Sequence, residues 1–380
     1  MEAAGYKANN GLDDQKLALR WIKLHISEFG GDPERVTVLG ESAGAASGCF
    51  HLHSSEPLFD QLIALSGSSQ QRLRSKEQAE VTYRSVVEAI GATTLPPKEQ
   101  LQKILHVPGE ELVSTIGRKF PIGPLIDGDI IPRGTTFSAL RNPVEATRLF
   151  PGIFRCRRAV LGDCQMDGMA FASRVAARQD NLQKTLLSSL HAVFDPINQK
   201  IAKDIASAYG LDDQALSNEG EDLKPVLHFG GDVMFALPAR EIAQAFSVSA
   251  VPGTKAFLCH FNAPNPWEGP WKGHSTHILD ISFALLNYNG VLLDAQRLCA
   301  ERYARDIITF VNGGEPWPPY ETGGRMVYDA PAQGTEDESC YVPRGSSENT
   351  GRREALYKIV GEAMFDKLVD VWMLFMAGPK

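Results

Sequence analysis

The run Gly40-Glu41-Ser42-Ala43-Gly44 constrains this chain more than any other feature, because of what stands on either side of it. Val36-Thr37-Val38-Leu39 reads as a short buried strand leading in, and the small residues from Ala43 to Gly48 let a helix start directly after it. Without context, Gly-x-Ser-x-Gly arises by chance about 0.1–0.2 times in a chain of this size, so the pattern alone is a modest signal. Between a strand and a helix it specifies a sharp turn that lifts a serine hydroxyl off the C-terminal edge of a sheet. Such a turn strains the Ser42 backbone. The helix start favours negative charge near the hydroxyl, and the Ala43 N–H is placed to donate to an oxyanion. Gly40 and Gly44 carry no Cβ, which is expected to let strand and helix approach closely. The bland alternative is an ordinary Gly-rich turn. The context instead predicts Ser42 as a nucleophile and Ala43 as an oxyanion donor.

Elsewhere, apolar strand-like runs alternate with longer helical patterns, which predicts an α/β fold with a mostly parallel central sheet and helices on both faces. Leu12 to Phe29 reads as a helix with an apolar stripe of Leu17, Trp21, Leu24 and Ile26, stopped by Gly30-Gly31-Asp32-Pro33. Leu62 to Leu65, Ala159 to Gly162 and Lys255 to Phe261 read as further buried strands. Glu77 to Ile90, Leu182 to Phe194, Asp294 to Val311 and Leu356 to Met376 read as helices. The last of these carries Lys358, Glu362, Asp366, Lys367 and Asp370, a charge load that argues for a buried amphipathic helix and against a transmembrane segment. No repeat or low-complexity linker divides the chain, so residues 1–380 are expected to form a single domain, with 70–157 as a helical cap insertion.

The formal net charge of −8, without a run of either sign, argues against nucleic acid as a partner. The six cysteines show no paired or metal-ligand spacing, so unpaired core thiols are expected, with neither a metal nor a cofactor. Met1 to Lys7 has no apolar stretch of the kind that opens a signal peptide, and no Asn-x-Ser/Thr sequon occurs. Together these point to a cytoplasmic location.

Several motifs extend the pattern around Ser42. Asn10-Gly11-Leu12-x-Asp14-Gln15 and Phe29-Gly30-Gly31-Asp32-Pro33 precede it, and Ser66-Gly67-Ser68 and Pro124-Leu125-Ile126-Asp127-Gly128 follow. Asp232-x-x-Phe235-x-x-Pro238 and Gly313-Gly314-Glu315-Pro316-Trp317-Pro318-Pro319-Tyr320 come later. The set resembles the type B carboxylesterases, which include the cholinesterases and several fungal lipases. Gly162-Asp163-Cys164 and Thr276 to Asp280 look most like the fungal members. The resemblance implies an α/β-hydrolase fold and hydrolysis of a small-molecule carboxylic ester through an acyl-enzyme.

The same resemblance implies the partners of Ser42, in the chain order serine, acid, histidine. The family has an acidic residue directly before a glycine after the third strand, which selects Asp167 ahead of Gly168; Asp163 is the rival nearer the strand end. His277-x-x-Asp280-Ile281-x-Phe283 is similar to the family's histidine segment, with His274 as the decoy. Glu41 matches an acidic family position and could tune the local field or simply bond within the fold. His228-Phe229-Gly230-Gly231 looks superficially like a lipase oxyanion loop, but it follows the nucleophile and begins a helical stretch, so it is rejected. The family's own Gly-rich oxyanion loop and first strands would lie ahead of Asn10. Only 41 residues precede Ser42, so the expectation is an N-terminally truncated domain with an exposed sheet edge and exposed apolar helix faces. The alternatives are an inactive truncated paralogue, an interaction protein, or an acyltransferase with the same triad. Oligomeric state leaves no mark in the sequence.

Overall fold

Residues along the central strands alternate between two buried faces, because successive side chains of a strand point to opposite sides. Leu62, Ala64, Ala159, Leu161, Ala256 and Leu258 join one apolar cluster, while Ile63, Leu65, Val160, Phe257, Cys259 and Phe261 join the other. Strands buried on both faces read as continuous apolar runs, which is why they were legible. The computed structural model describes residues 6–70, 73–117, 123–215, 217–331, 335–346 and 351–379.

The strands are β1 (Thr37–Glu41), β2 (Gln61–Leu65), β3 (Arg158–Cys164), β4 (Lys255–Phe261), β5 (Arg325–Tyr328) and β6 (Cys340–Val342). They form one sheet in that order; the first five are parallel and β6 runs antiparallel to β5. The principal helices are α1 (Asn10–His25), α2 (Ala43–His51), α3 (Lys76–Ala89), α4 (Leu182–Phe194), α5 (Gly220–Gly231), α6 (Leu237–Ser247), α7 (Leu279–Ala284), α8 (Asp294–Val311), α9 (Arg352–Val360) and α10 (Phe365–Ala377). Buried residues of α4, α5, α6 and α10 fill the first cluster, and those of α7 and α8 fill the second. A mostly parallel sheet with helices on both faces is the fold class expected. Between β2 and β3, the described residues fold mainly as short helices, from α3 to Pro143–Leu149.

Two expectations change. The terminal helix read as Leu356 to Met376 is two helices, α9 and α10, because Gly361 takes a left-handed φ of 71° between them. The second concerns β1, read from sequence as a buried strand: of its residues only Gly40 is buried. Helix α1 forms where expected, and its buried residues are Leu12 and Leu19. The stripe faces outward: Trp21 is 52% exposed, Leu24 72% and, just beyond the helix, Phe29 71%. Strand β1 pairs only with β2 among the described residues, and its Leu39 is 38% exposed. An open sheet edge beside exposed apolar helix residues is thus present. Contiguous apolar surface of this kind binds hydrophobic dyes. The native chain is expected to enhance the fluorescence of anilinonaphthalene sulfonate, and Leu24→Glu with Phe29→Glu to remove most of that signal without lowering Tm. An unchanged signal would place the dye elsewhere.

No disulfide links any cysteine pair among the described residues, and Cys49, Cys156, Cys164, Cys259 and Cys299 are buried thiols. Among the described residues no helix is long and apolar enough to cross a membrane.

Candidate active site

The turn after β1 is built as the sequence requires. Ser42 sits at φ 55°, ψ −117°, a conformation costly for a residue with a Cβ, and α2 starts at Ala43. Its N–H donates to the Leu65 carbonyl at 2.9 Å, and its carbonyl accepts from Ala46 at 3.0 Å. Gly40 is needed sterically, because a Cβ there would stand 2.2 Å from the Gly44 carbonyl carbon. Gly44 is not: a Cβ there meets nothing within 4 Å, so only one of the two glycines serves close approach. Ala43 occupies the first turn of α2, where backbone N–H groups have no partner within the helix and point outward.

Two loops meet Ser42 from neighbouring strands. Beyond the β3–β4 pairing, Gln165 donates from its N–H to the Phe261 carbonyl, and Met166 does the same to the Ser275 carbonyl at 2.9 Å. Met166 and Thr276 form a parallel bridge, which carries the sheet register outward by a few residues. Asp167 and His277 follow directly, so residues 110 apart in sequence arrive side by side. His277 Nε2 lies 2.9 Å from Ser42 Oγ, and its Nδ1 lies 2.7 Å from Asp167 Oδ1. The other Asp167 oxygen accepts the Cys164 N–H at 2.8 Å. A carboxylate at Nδ1 assigns the proton to that nitrogen and leaves Nε2 to accept from the serine.

The loop that carries Asp167 lies on α5. A Cβ on Gly168 would stand 1.8 Å from the Leu227 carbonyl oxygen, so only glycine fits after the acid. Asp163 is occupied elsewhere, buried between His260 and Arg353. His274 lies edge-on to Trp271 and has no hydrogen bond to Ser42 or Asp167. His228 to Gly231 forms the end of α5 rather than a loop. A Cβ on Gly230 would stand 2.4 Å from the Trp372 ring, so that glycine serves helix packing.

The acid and base of the site are buried, and their surroundings are acidic. Asp167 and Asp280 are each 1% exposed and His277 8%. Burial pulls the His277 imidazole down, but its bond to Asp167 and the charges of Asp167, Glu41 and Asp280 more than offset this, so it protonates more readily than a free imidazole. Glu41 Oε1 lies 3.4 Å from His277 Nε2 and has no hydrogen-bond partner. Burial pushes its carboxyl up to about 7. Asp280 is pushed up to about 8 by burial and by the charges of Asp167 and Glu41, and its Oδ2 is also unpaired. Two residues were not singled out from sequence: Asp280 as a buried acid near the histidine, and Phe235, whose ring centroid is 5.1 Å from that of His277. Both lie in motifs already quoted, which was the available signal. Among the described residues no cluster of potential metal ligands occurs.

Asp280 gives a pH test. Its carboxyl binds a proton more tightly in the folded chain than in the unfolded one, so stability falls as pH rises from about 4 towards 8. Asp280→Asn is expected to match wild type near pH 4 and to exceed it by about 2 kcal/mol or more at pH 8. Urea denaturation across that range checks this; parallel curves for the two proteins would refute it.

The model of the carboxylesterase family matches residues 2–338. The chain is 26% identical over 352 residues to a para-nitrobenzyl esterase of Bacillus subtilis (strain 168), covering 86% of this chain and 64% of that one. It is 34% identical over 175 residues to an acetylcholinesterase of Myxine glutinosa, covering 43% of this chain and 49% of that one. A solved structure of a PNB esterase superimposes with a TM-score of 0.66 and 25% identity, over 92% of this chain and 69% of that chain. The chain thus spans between 49% and 64% of the length of these curated relatives.

Proposed function

This chain belongs to the carboxylesterase family, and on that premise we propose that it hydrolyses carboxylic esters of small molecules, with Ser42 as nucleophile, His277 as base and Asp167 as the acid that orients it. The observation that carries this reading is the continuous chain of hydrogen bonds from Ser42 Oγ through both nitrogens of His277 to Asp167. His277 Nε2 takes the Ser42 proton as Oγ attacks the ester carbonyl carbon. The carbonyl oxygen gains negative charge, and the Ala43 N–H at the head of α2 stabilises it. The imidazolium returns its proton to the departing alcohol, leaving an acyl group on Ser42. Water then loses a proton to His277, attacks the acyl carbon and releases the carboxylic acid, and Ser42 recovers its proton. Asp167 stabilises the imidazolium in both halves, and its own bond from Cys164 fixes which oxygen faces the ring.

A fluorophosphonate reports nucleophilicity directly, because it phosphonylates only an activated serine. Intact mass should rise by one adduct, with peptide mapping placing it on Ser42 and His277→Ala abolishing it. Absence of labelling, or labelling at another serine, would defeat the assignment.

A further inference from the structure

Helix α9 opens on two arginines, Arg352 and Arg353. The N-terminal end of a helix already concentrates positive charge, so cations there weaken the helix and their placement has another cause. Both side chains turn inward to Asp232, a fully buried carboxylate in the turn between α5 and α6. Asp232 Oδ1 accepts from Arg353 Nε at 2.6 Å and from Arg352 Nη2 at 3.2 Å. Its Oδ2 accepts from Arg352 Nε at 2.8 Å and from the Tyr209 hydroxyl at 2.9 Å. Donors on both oxygens make Asp232 a fixed anchor.

The same two forks also reach the backbone that carries the acid. Arg352 Nη2 donates to the Gln165 carbonyl at 2.9 Å and Arg353 Nη2 to the Cys164 carbonyl at 3.1 Å, while Arg353 Nη1 pairs with Asp163 at 2.6 Å. Cys164 is the last residue of β3, and its N–H is the group that holds Asp167 Oδ2. β2 has ended by then, with Ser66 donating to the Gly162 carbonyl at 2.8 Å, so a guanidinium stands where a ladder partner would otherwise bond the Cys164 carbonyl. The N–H groups of Gln165 and Met166 are held by the carbonyls of Phe261 and Ser275, and the two arginines complete the restraint.

We infer that Arg352 and Arg353 are positioning residues for the ester-cleaving site: by tying the Cys164 and Gln165 carbonyls to Asp232, they hold Asp167 at bonding distance from His277. The inference rests on the roles assigned to Asp167 and His277 above. Ion pairs of purely structural use would stabilise the fold without setting the basicity of His277, whereas a clamp on the acid's backbone sets both.

The test replaces each fork by a point charge. In Arg352→Lys with Arg353→Lys, ammonium groups still neutralise Asp232 and Asp163 but lack the planar fork that spans a carboxylate and a carbonyl together. The rate at which a fluorophosphonate labels Ser42, followed against pH, reads the state of His277 without requiring turnover. Burial lowers the imidazole and the bond to Asp167 more than offsets this; Glu41 and Asp280, the other acids beside the ring, are untouched. Loosening Asp167 should therefore move the acidic limb to lower pH and slow labelling on the plateau by about tenfold or more. Arg352→Lys alone keeps the Cys164 and Asp163 contacts of Arg353 and should shift the limb in the same direction by less, which serves if the double variant does not melt cooperatively. Tyr209→Phe takes a donor from Asp232 but touches no carbonyl of the loop; it should lower Tm and leave limb and plateau at their wild-type values. An unmoved limb and plateau in the folded lysine variants would overturn the inference and leave the triad standing, as would an equal shift in Tyr209→Phe. Asp167→Asn is labelled in parallel: a wild-type rate there would overturn the triad itself, and the clamp with it.

Discussion

Asp167→Asn is expected to lower kcat/KM for a chromogenic short-chain ester by a factor on the order of 10⁴, and Ser42→Ala by at least as much. The asparagine result follows from geometry. Oδ2 of Asp167 accepts the Cys164 N–H, and Oδ1 faces His277 Nδ1. An asparagine in that position keeps its single carbonyl oxygen on the Cys164 N–H, because turning it would set two donors against each other. Its NH₂ group then points at Nδ1, which must become the acceptor, and the proton moves to Nε2. The ring now presents N–H to Ser42 and cannot take its proton. Folding should be unaffected, since the side chains are isosteric and the backbone bond is kept. A variant retaining activity within tenfold of wild type would show that Asp167 does not orient the base. Equal rates for Ser42→Ala and wild type would remove Ser42 from the chemistry.

Gly168→Ala is the substitution expected to cost most in stability. Its Cβ would stand 1.8 Å from the Leu227 carbonyl oxygen and 2.6 Å from the Leu227 carbonyl carbon, both backbone atoms inside α5. The helix cannot retreat cheaply, because Gly230 on the same helix already lies against the Trp372 ring. Relief must come from the Asp167 loop. The expected loss is about 3–5 kcal/mol, read as a Tm fall of roughly 4–6 °C in a chain of this length. Activity should fall as well, because a shift of the loop withdraws Asp167 from His277. Gly44→Ala is the control, having nothing within 4 Å of its added Cβ, and its Tm should stay close to that of wild type. If the two alanine variants melt together, the contact between Gly168 and α5 does not hold the loop.

The acidic surroundings of His277 bear on the pH profile. The hydrogen bond to Asp167 and its negative charge, with a smaller contribution from Glu41, raise the imidazole above its ordinary value, so the acidic limb of kcat/KM should lie above about 6.5. Glu41→Gln removes one of those charges and is expected to move that limb to lower pH. A limb that stays in place would mean that Glu41 is already neutral where the histidine titrates.

Several local features were legible because short-range sterics set them. A short apolar strand, a glycine, a serine and a run of small residues specify a strained turn, and that is the turn found at Ser42. The inner strands were readable because burial on both faces leaves little room for polar residues. The stripe on α1 was legible as spacing, but amphipathic spacing shows which side of a helix is apolar and not what covers it; Trp21 and Leu24 lie open. Leu356 to Met376 was read as one helix because the apolar pattern continues through Gly361, and only the positive φ there ends it.

The sequence by itself determined the turn at Ser42, the inner strands and the class of fold, since each is set by local pattern along the chain. The resemblance pointed to Asp167 over Asp163 and to His277 over His274, and the tertiary structure shows the physical reason that these two meet. Asp163 and Asp167 are equally buried and four residues apart, yet one is taken by Arg353 and His260 and the other by His277. That choice rests on the β3–β4 register and on the fit of Gly168 against α5.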